Sequence, residues 1–322
     1  MEPSIELVSV APSLEGAVPA AHFGGGRPRF RLDDGTLTAL SERLEPAGSV
    51  ATGLSGGARL LAAAPDLGTW LAEDGELAVV TPAGRTDLPV AAADAACLLA
   101  DGLALVTAPD LDERGHLLLL VELGTAAAPA RVVAEHLVRD AHDASAHVLA
   151  HPSARAAVVD LPMGQDGSFV LRVDVTAGPG LAVTELCPGE DVVGADISPD
   201  GEQILLTPYP SDPETARVLR WTDLSETGRL SAADAGLPIG IDMSGSFLDD
   251  DHLLLVDIEH GLLLATRDLT TSRPLTLPDL DLSDDDTDIE WVCALGDRTF
   301  AVGAWYAGAG RRTLVHRITL AR

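Results

Sequence analysis

The chain has 322 residues, 46% of them apolar, with 50 Asp and Glu against 21 basic residues for a net charge of −29. The apolar share supplies a large core and excludes a disordered chain, while the charge repels phosphate backbones and anionic lipid and so excludes nucleic-acid and membrane-surface partners. No apolar run approaches the roughly 18 residues of a membrane helix, and the acidic start MEPSIELVSV lacks the basic n-region of a signal peptide, so a cytoplasmic protein is expected. All 21 basic residues are Arg, with no Lys or Asn anywhere. That is the codon bias of a GC-rich bacterial genome, with adaptation to high salt as the alternative. Cys97, Cys187 and Cys293 are far apart, each in an apolar run, as buried thiols of a reducing compartment would be.

From the N-terminus onward the apolar stretches are short and end in Gly, Pro, Asp or Ser clusters, the signature of strands. SIELVSV (4–10) stands alone. HFGGGRPRFRL (22–32) then opens a series of strand–turn–strand units. LLAAAPDLGTWLA (60–72), CLLADGLALVT (97–107) and AHPSARAAVVD (150–160) continue it. DISPDGEQILL (196–206), FLDDDHLLLVD (247–257) and ALGDRTFAVGAW (294–305) bring the series to seven. A third strand follows each hairpin. LRVDVTA, RWTDLSE and ATRDLTT place Asp174, Asp223 and Asp268 in one slot, which elsewhere falls on Glu122 and Thr319 and more weakly on Thr81 and Ser41. The spacing of that slot runs from 40 to 52 residues, the period of four-stranded propeller blades.

The expected fold is therefore all-β: one β-propeller domain over residues 1–322, with seven four-stranded antiparallel blades. Six or eight blades are the alternatives, because the first three units are degenerate. TLVHRITLA (313–321) is a third strand with no fourth after it, so residues 4–10 are expected to join the last blade and close the ring.

DISPDGEQILLT resembles the inner hairpin of WD40-type repeats. VLRWTDLSETGRL (218–230) is similar to their third strand, with Thr222 interrupting the Trp-Asp pair. DAHDASAHVLAHPSARAAVVD (140–160) resembles the blade that opens with a structural histidine, here His142. The likeness to this WD40-like propeller superfamily implies a scaffold role more often than catalysis.

Three constellations are candidates for chemistry. In DLDLSDDDTDIE (279–290), Asp279, Asp281, Ser283, Asp285, Thr287 and Glu290 fall on positions 1, 3, 5, 7, 9 and 12 of an EF-hand-like loop. Such oxygens suit Ca²⁺ or another divalent cation, although Asp284 replaces the required Gly and a solvated acidic loop is the competing reading. His136, His142, His147 and His151 lie within 16 residues. His147 and His151 share a strand face with His142 in the preceding loop, which offers a transition-metal site or simple packing. Gly53-Leu54-Ser55-Gly56-Gly57 matches the nucleophile-elbow pattern, but no alternating helices surround it, and a linker between blades explains it equally.

The linkers into the innermost strands carry Glu15, Asp94, Asp143, Asp191, Asp242 and Asp288, which would ring one mouth of the channel. The loops APDLDERGH (108–116), PMGQDG (162–167) and YPSDPETA (209–216) flank the same mouth. AWYAGAGRR adds Trp305 and Tyr306 beside Arg311 and Arg312. The leading functional expectation is a non-catalytic scaffold that binds a protein, a peptide or a small cationic molecule. Asp191, Asp242, Asp288, Glu290, Trp305 and Tyr306 are its candidate contacts. The alternative is an enzyme (a hydrolase, lyase or cyclase) that acts on a small molecule at that mouth, with a divalent cation held by residues such as Asp279, Asp281, Asp285 and Glu290.

Overall fold

A computed structural model describes residues 3–11, 29–41, 43–142, 144–164, 167–178, 180–259, 261–278, 280, 287–306 and 310–320. The described strands form seven antiparallel sheets, six of four strands and one of three. The first blade contributes Arg29–Asp33, Thr36–Leu40 and Pro46–Ala51. The second runs through Arg59–Ala63, Trp70–Glu73, Leu77–Thr81 and Gly84–Leu88. The third has Ala95–Leu99, Leu103–Pro109, Gly115–Glu122 and Arg131–Arg139. His147–Ala150, Ala156–Pro162, Ser168–Val175 and Leu181–Leu186 build the fourth. The fifth comprises Val192–Ile197, Gln203–Pro208, Thr215–Arg220 and Glu226–Ser231. The sixth has Ile241–Phe247, His252–Asp257, Leu262–Thr266 and Ser272–Leu275. Thr287–Gly296, Thr299–Tyr306 and Gly310–Thr319 start the seventh, and Ser4–Ala11 pairs with Gly310–Thr319 as its outer strand, Ile5 opposite Ile318. The first strand of the chain thus completes the last blade, as the missing fourth strand requires.

First strands of successive blades pack on one another and form the inner ring. Each blade buries both faces against its neighbours, so second strands read as unbroken apolar runs; Ala156 to Leu161 are all buried. Seven apolar clusters result, each spanning two consecutive blades. The one that packs Leu44 of the first blade against Cys293, Leu295, Ala301 and Val315 of the seventh seals the ring.

The Pro199-Asp200-Gly201 turn is clamped from both sides. His151 Nε2 of the fourth blade bonds the Gly201 carbonyl at 2.8 Å, and Arg267 of the sixth bonds the Asp200 carboxylate at 2.7 Å. Gly201 has φ +74°, and a Cβ there would stand 2.7 Å from the His151 ring, so the turn needs glycine twice over. The acid-to-arginine tie recurs between other neighbours, Asp101 with Arg155 and Asp249 with Arg298. The shared slot of the third strands holds two local roles. Asp174 and Glu122 lie inside third strands, whereas Asp223 and Asp268 sit in the following turns and accept from Ser225 N and Thr270 N.

Candidate functional site

Two cavities adjoin on the face where first strands begin and second strands end. A cleft of about 500 Å³ in the seventh blade is lined by Asp288, Glu290, Trp305, Gly310 and Arg311. The ladder dictates this grouping, because Asp288 stands opposite Trp305 and Trp305 opposite Arg311. Glu290 is the extra residue of a bulge between Ile289 and Trp291, which turns its side chain out of the ladder. Its carboxylate accepts from Arg311 Nε at 2.9 Å.

The second cavity, about 470 Å³, lies on the channel side, lined by first strands of the fourth to seventh blades together with Asp160, Pro162 and Tyr209 at the ends of second strands. Glu290 lines both cavities, which joins them into one groove. The channel walls include His147, Asp160, Tyr209, Met243 and Trp291. His147 presents its ring to the channel, but crowding by the walls holds the imidazole below its usual pKa, against the smaller upward pull of Asp94. Asp160 is buried, and burial pushes its pKa up to about 7 despite bonds from Ser168, Gly194 N and Leu161 N. Trp291 lies flat on Gly303: a Cβ there would be 2.1 Å from the indole. Gly303→Ala is expected to push the indole into the channel and cost about 1–3 kcal/mol by overpacking, read as a lower thermal midpoint with a changed tryptophan emission.

Apolar exposure concentrates on the same face. Leu111 (78%), Ile239 (58%), Met243 (43%) and Trp305 (38%) all occupy linkers or strand ends there, whereas exposed Val10, Val50 and Val132 lie on outer strands. Leu111 is held out by a compact loop in which the Asp110 carboxylate accepts from Arg114 N, Nε and Nη2 at 3.1, 2.7 and 2.9 Å. Those bonds from Arg114 keep Asp110 below the usual carboxylate range.

Of the acids expected at the mouth, Asp288 and Glu290 converge with Trp305. Asp191 instead accepts from Ser211 Oγ at 3.0 Å, and Asp242 accepts from its neighbour Met243 N. Tyr306 turns away from the cleft into the core of the seventh blade, with the Arg312 guanidinium 5.1 Å from its ring centre. Asp94 is bound internally: it contacts His116 at 3.2 Å and accepts from Thr107 Oγ1 at 2.6 Å and Ala146 N at 3.0 Å. Burial raises its pKa, but the bonds from His116, Thr107 and Ala146 outweigh it and leave the carboxyl below its ordinary value. Glu15, Asp143, Asp279, Asp281, Ser283 and Asp285 lie outside the described residues.

Among the described residues no group of three or more His, Cys, Asp or Glu is arranged to hold a metal. The histidines do not converge. His142 is exposed in a linker, His147 lines the channel, and His151 at the far end of its strand packs 4.1 Å from the Trp221 ring. His142, expected as a structural histidine, is exposed, whereas His116 bonds Asp94 of its own blade and His151 bonds the Gly201 carbonyl of the fifth. Ser55 of the elbow-like pattern bonds the Asp74 carboxylate, and no helix follows it.

Sequence reasoning passed over Met243, Asp160 and Asp196. The two acids had a signal, each being a single charge inside an otherwise apolar strand, AAVVDLP and VVGADI. Thr107, Asp160 and Thr207 are each the fifth residue of a second strand, and all three make polar tethers there.

No family model matches the sequence, and no curated protein is similar to it. Solved structures do share the architecture. The β-propeller domain of Cps50 (Swd1) from Myceliophteria thermophila aligns with a TM-score of 0.59 at 11% identity, over 97% of this chain and 99% of that one. The WD40 β-propeller domain of Doa1 aligns with a TM-score of 0.55 at 10% identity, over 98% of this chain and 97% of that one. Likeness at such identities speaks for the fold alone: the chain folds as a seven-bladed β-propeller.

Proposed function

We propose that this propeller is a cytoplasmic scaffold that docks a basic protein or peptide partner on the face holding the two cavities. The observation that carries the reading is the exposure of Leu111, Ile239, Met243 and Trp305 on that face, with Trp305 lining a cleft that contains Asp288 and Glu290. Interfaces take most of their affinity from a few apolar and aromatic anchors, with surrounding charge setting on-rate and specificity. With a net charge of −29, that specificity favours Arg- and Lys-bearing partners. The buried thiols Cys97 and Cys293, each inside an apolar cluster, suit a reducing compartment.

An array of peptides varying in Arg, Lys and apolar content, probed with the purified protein, tests this. Peptides with paired basic and apolar residues are expected to bind. Trp305→Ala should weaken them by about tenfold or more, the loss of one anchor. Asp288→Asn should flatten the salt dependence, and Val132→Ala on an outer strand should change nothing. Equal capture by the wild type and a Trp305→Ala/Met243→Ala double variant would refute the docking face.

A further inference from the structure

The channel cavity differs in chemistry from the cleft beside it. Its two carboxyls stand on different blades, Asp160 on the fourth and Glu290 on the seventh, hence on opposite sides of a seven-membered ring. Between them the wall is mostly apolar, with Val193, Met243, Trp291 and Val292. Two acids across a channel cannot supply the six to eight oxygens that a hard metal ion gathers around itself. They match instead a ligand that carries two separated positive charges on an apolar chain. The volume of about 470 Å³ lies in the range of small-molecule sites.

We propose that the channel binds a linear organic diamine, its methylene chain against Met243 and Trp291 and one ammonium at each of Asp160 and Glu290. The channel shares Met243 and Glu290 with the docking face, so the two readings are told apart at Asp160, which lines only the channel, and at Trp305, which lines only the cleft. Trp291 offers an aromatic face to the cation, and the charge of −29 concentrates cations at the mouth.

Binding is coupled to a proton. In the empty channel Asp160 holds its proton up to about pH 7 because it is buried. An ammonium within reach lowers a carboxyl pKa by about 1–3 units, so the acid gives up its proton as the diamine arrives. The groups facing it do not compete. Desolvation holds the pKa of His147, directly opposite in the ladder, below its usual value, and the Tyr209 hydroxyl donates to the Gly164 carbonyl at 2.7 Å. Across the channel Glu290 has one oxygen paired with Arg311 Nε at 2.9 Å, so the second ammonium takes the other.

Calorimetric titration at physiological salt with 1,4-diaminobutane, its longer homologues and butylamine decides the matter. Saturable one-to-one binding is expected, with an optimum chain length and butylamine at least tenfold weaker. Asp160→Asn and Glu290→Gln should each reduce the best diamine to the level of butylamine. At pH 7 the heat should vary with the ionisation enthalpy of the buffer for the wild type, and not for Asp160→Asn. Trp305→Ala should leave diamine affinity unchanged while weakening peptide capture, so the two sites can fail independently. Absence of saturable heat, equal affinity for diamine and monoamine, or affinity untouched by both charge-removing variants would overturn the assignment.

Discussion

Asp196→Ala is expected to destabilise the protein by about 4 kcal/mol, because it strands several buried donors at once. Asp196 lies on the first strand of the fifth blade, just after a bulge, and is 2% exposed. Its carboxylate accepts from Ser246 Oγ at 2.8 Å and Phe247 N at 2.9 Å, both in the first strand of the sixth blade, and from its own Ile197 N at 2.8 Å. Ser246 Oγ in turn accepts from Ala294 N of the seventh blade at 3.0 Å. One hydroxyl proton is available and the carboxylate takes it, which leaves the oxygen lone pairs for the amide. Three inner strands are thereby stitched in series around the channel. The thermal midpoint should fall by roughly 6 °C for a domain of this size.

The coupling separates this account from a simple cavity effect. Ser246→Ala also breaks the Asp196–Ser246 bond, and it deprives Ala294 N of its acceptor. The double variant should therefore cost less than the two single variants together, by about 1 kcal/mol or more, since groups in one network are not additive. Strict additivity in urea midpoints would mean that the carboxylate does not act through the serine. Asp196→Asn, which keeps one acceptor oxygen, should fall between the wild type and the alanine variant.

The architecture was legible because propeller blades bury both faces. That forces unbroken apolar second strands such as AAVVDLP and regular turns such as Pro199-Asp200-Gly201, and both repeat. Closure by residues 4–10 was legible because the last unit lacked a partner strand. Of the residues that line the cleft, Asp288 stood out in the sequence as a linker acid, Glu290 as the last position of an EF-hand-like loop, and Trp305 by the scarcity of aromatics. Tyr306 was not separable from Trp305 by composition, yet adjacent strand residues face opposite ways, and one of the pair had to turn into the blade. The local partners of the acids expected at the mouth were not legible, for a different reason. Position in a linker does not tell an acid that lines the cleft, such as Asp288, from Asp94, which is bound to His116, Thr107 and Ala146. Nor does alternation survive a bulge, so the inward aim of Asp196 could not be read from VVGADI.

Asp160→Asn is expected to stabilise the protein, and by more as the pH rises. Burial pushes the wild-type carboxyl up to about 7 in the folded chain, against an ordinary value of 3.8. Between those values the folded state holds a proton that the unfolded state has released, so stability falls as pH rises through that window. Over the whole window the loss is about 4 kcal/mol, at 1.36 kcal/mol per pKa unit, and about 2.5 kcal/mol of it falls between pH 5 and 8. The hydrogen bonds say why the neutral acid is preferred. Ser168 Oγ lies 3.0 Å from Asp160 Oδ1 and 2.8 Å from the Val192 carbonyl, and it owns a single proton. If the acid is protonated, it donates to the serine, which donates to the carbonyl, and both bonds are made. Once the acid ionises, the serine must turn its proton to the carboxylate, and the Val192 carbonyl, the first residue of the next blade's inner strand, loses its donor. Asn reproduces the neutral acid, because its amide N–H can donate to the serine while its oxygen accepts from the backbone. The stability gap between Asp160→Asn and the wild type, taken from urea denaturation, should therefore widen by about 2.5 kcal/mol from pH 5 to pH 8. A gap that stays constant with pH would show that Asp160 is ionised throughout, and the proton coupling assigned to the channel would fall with it.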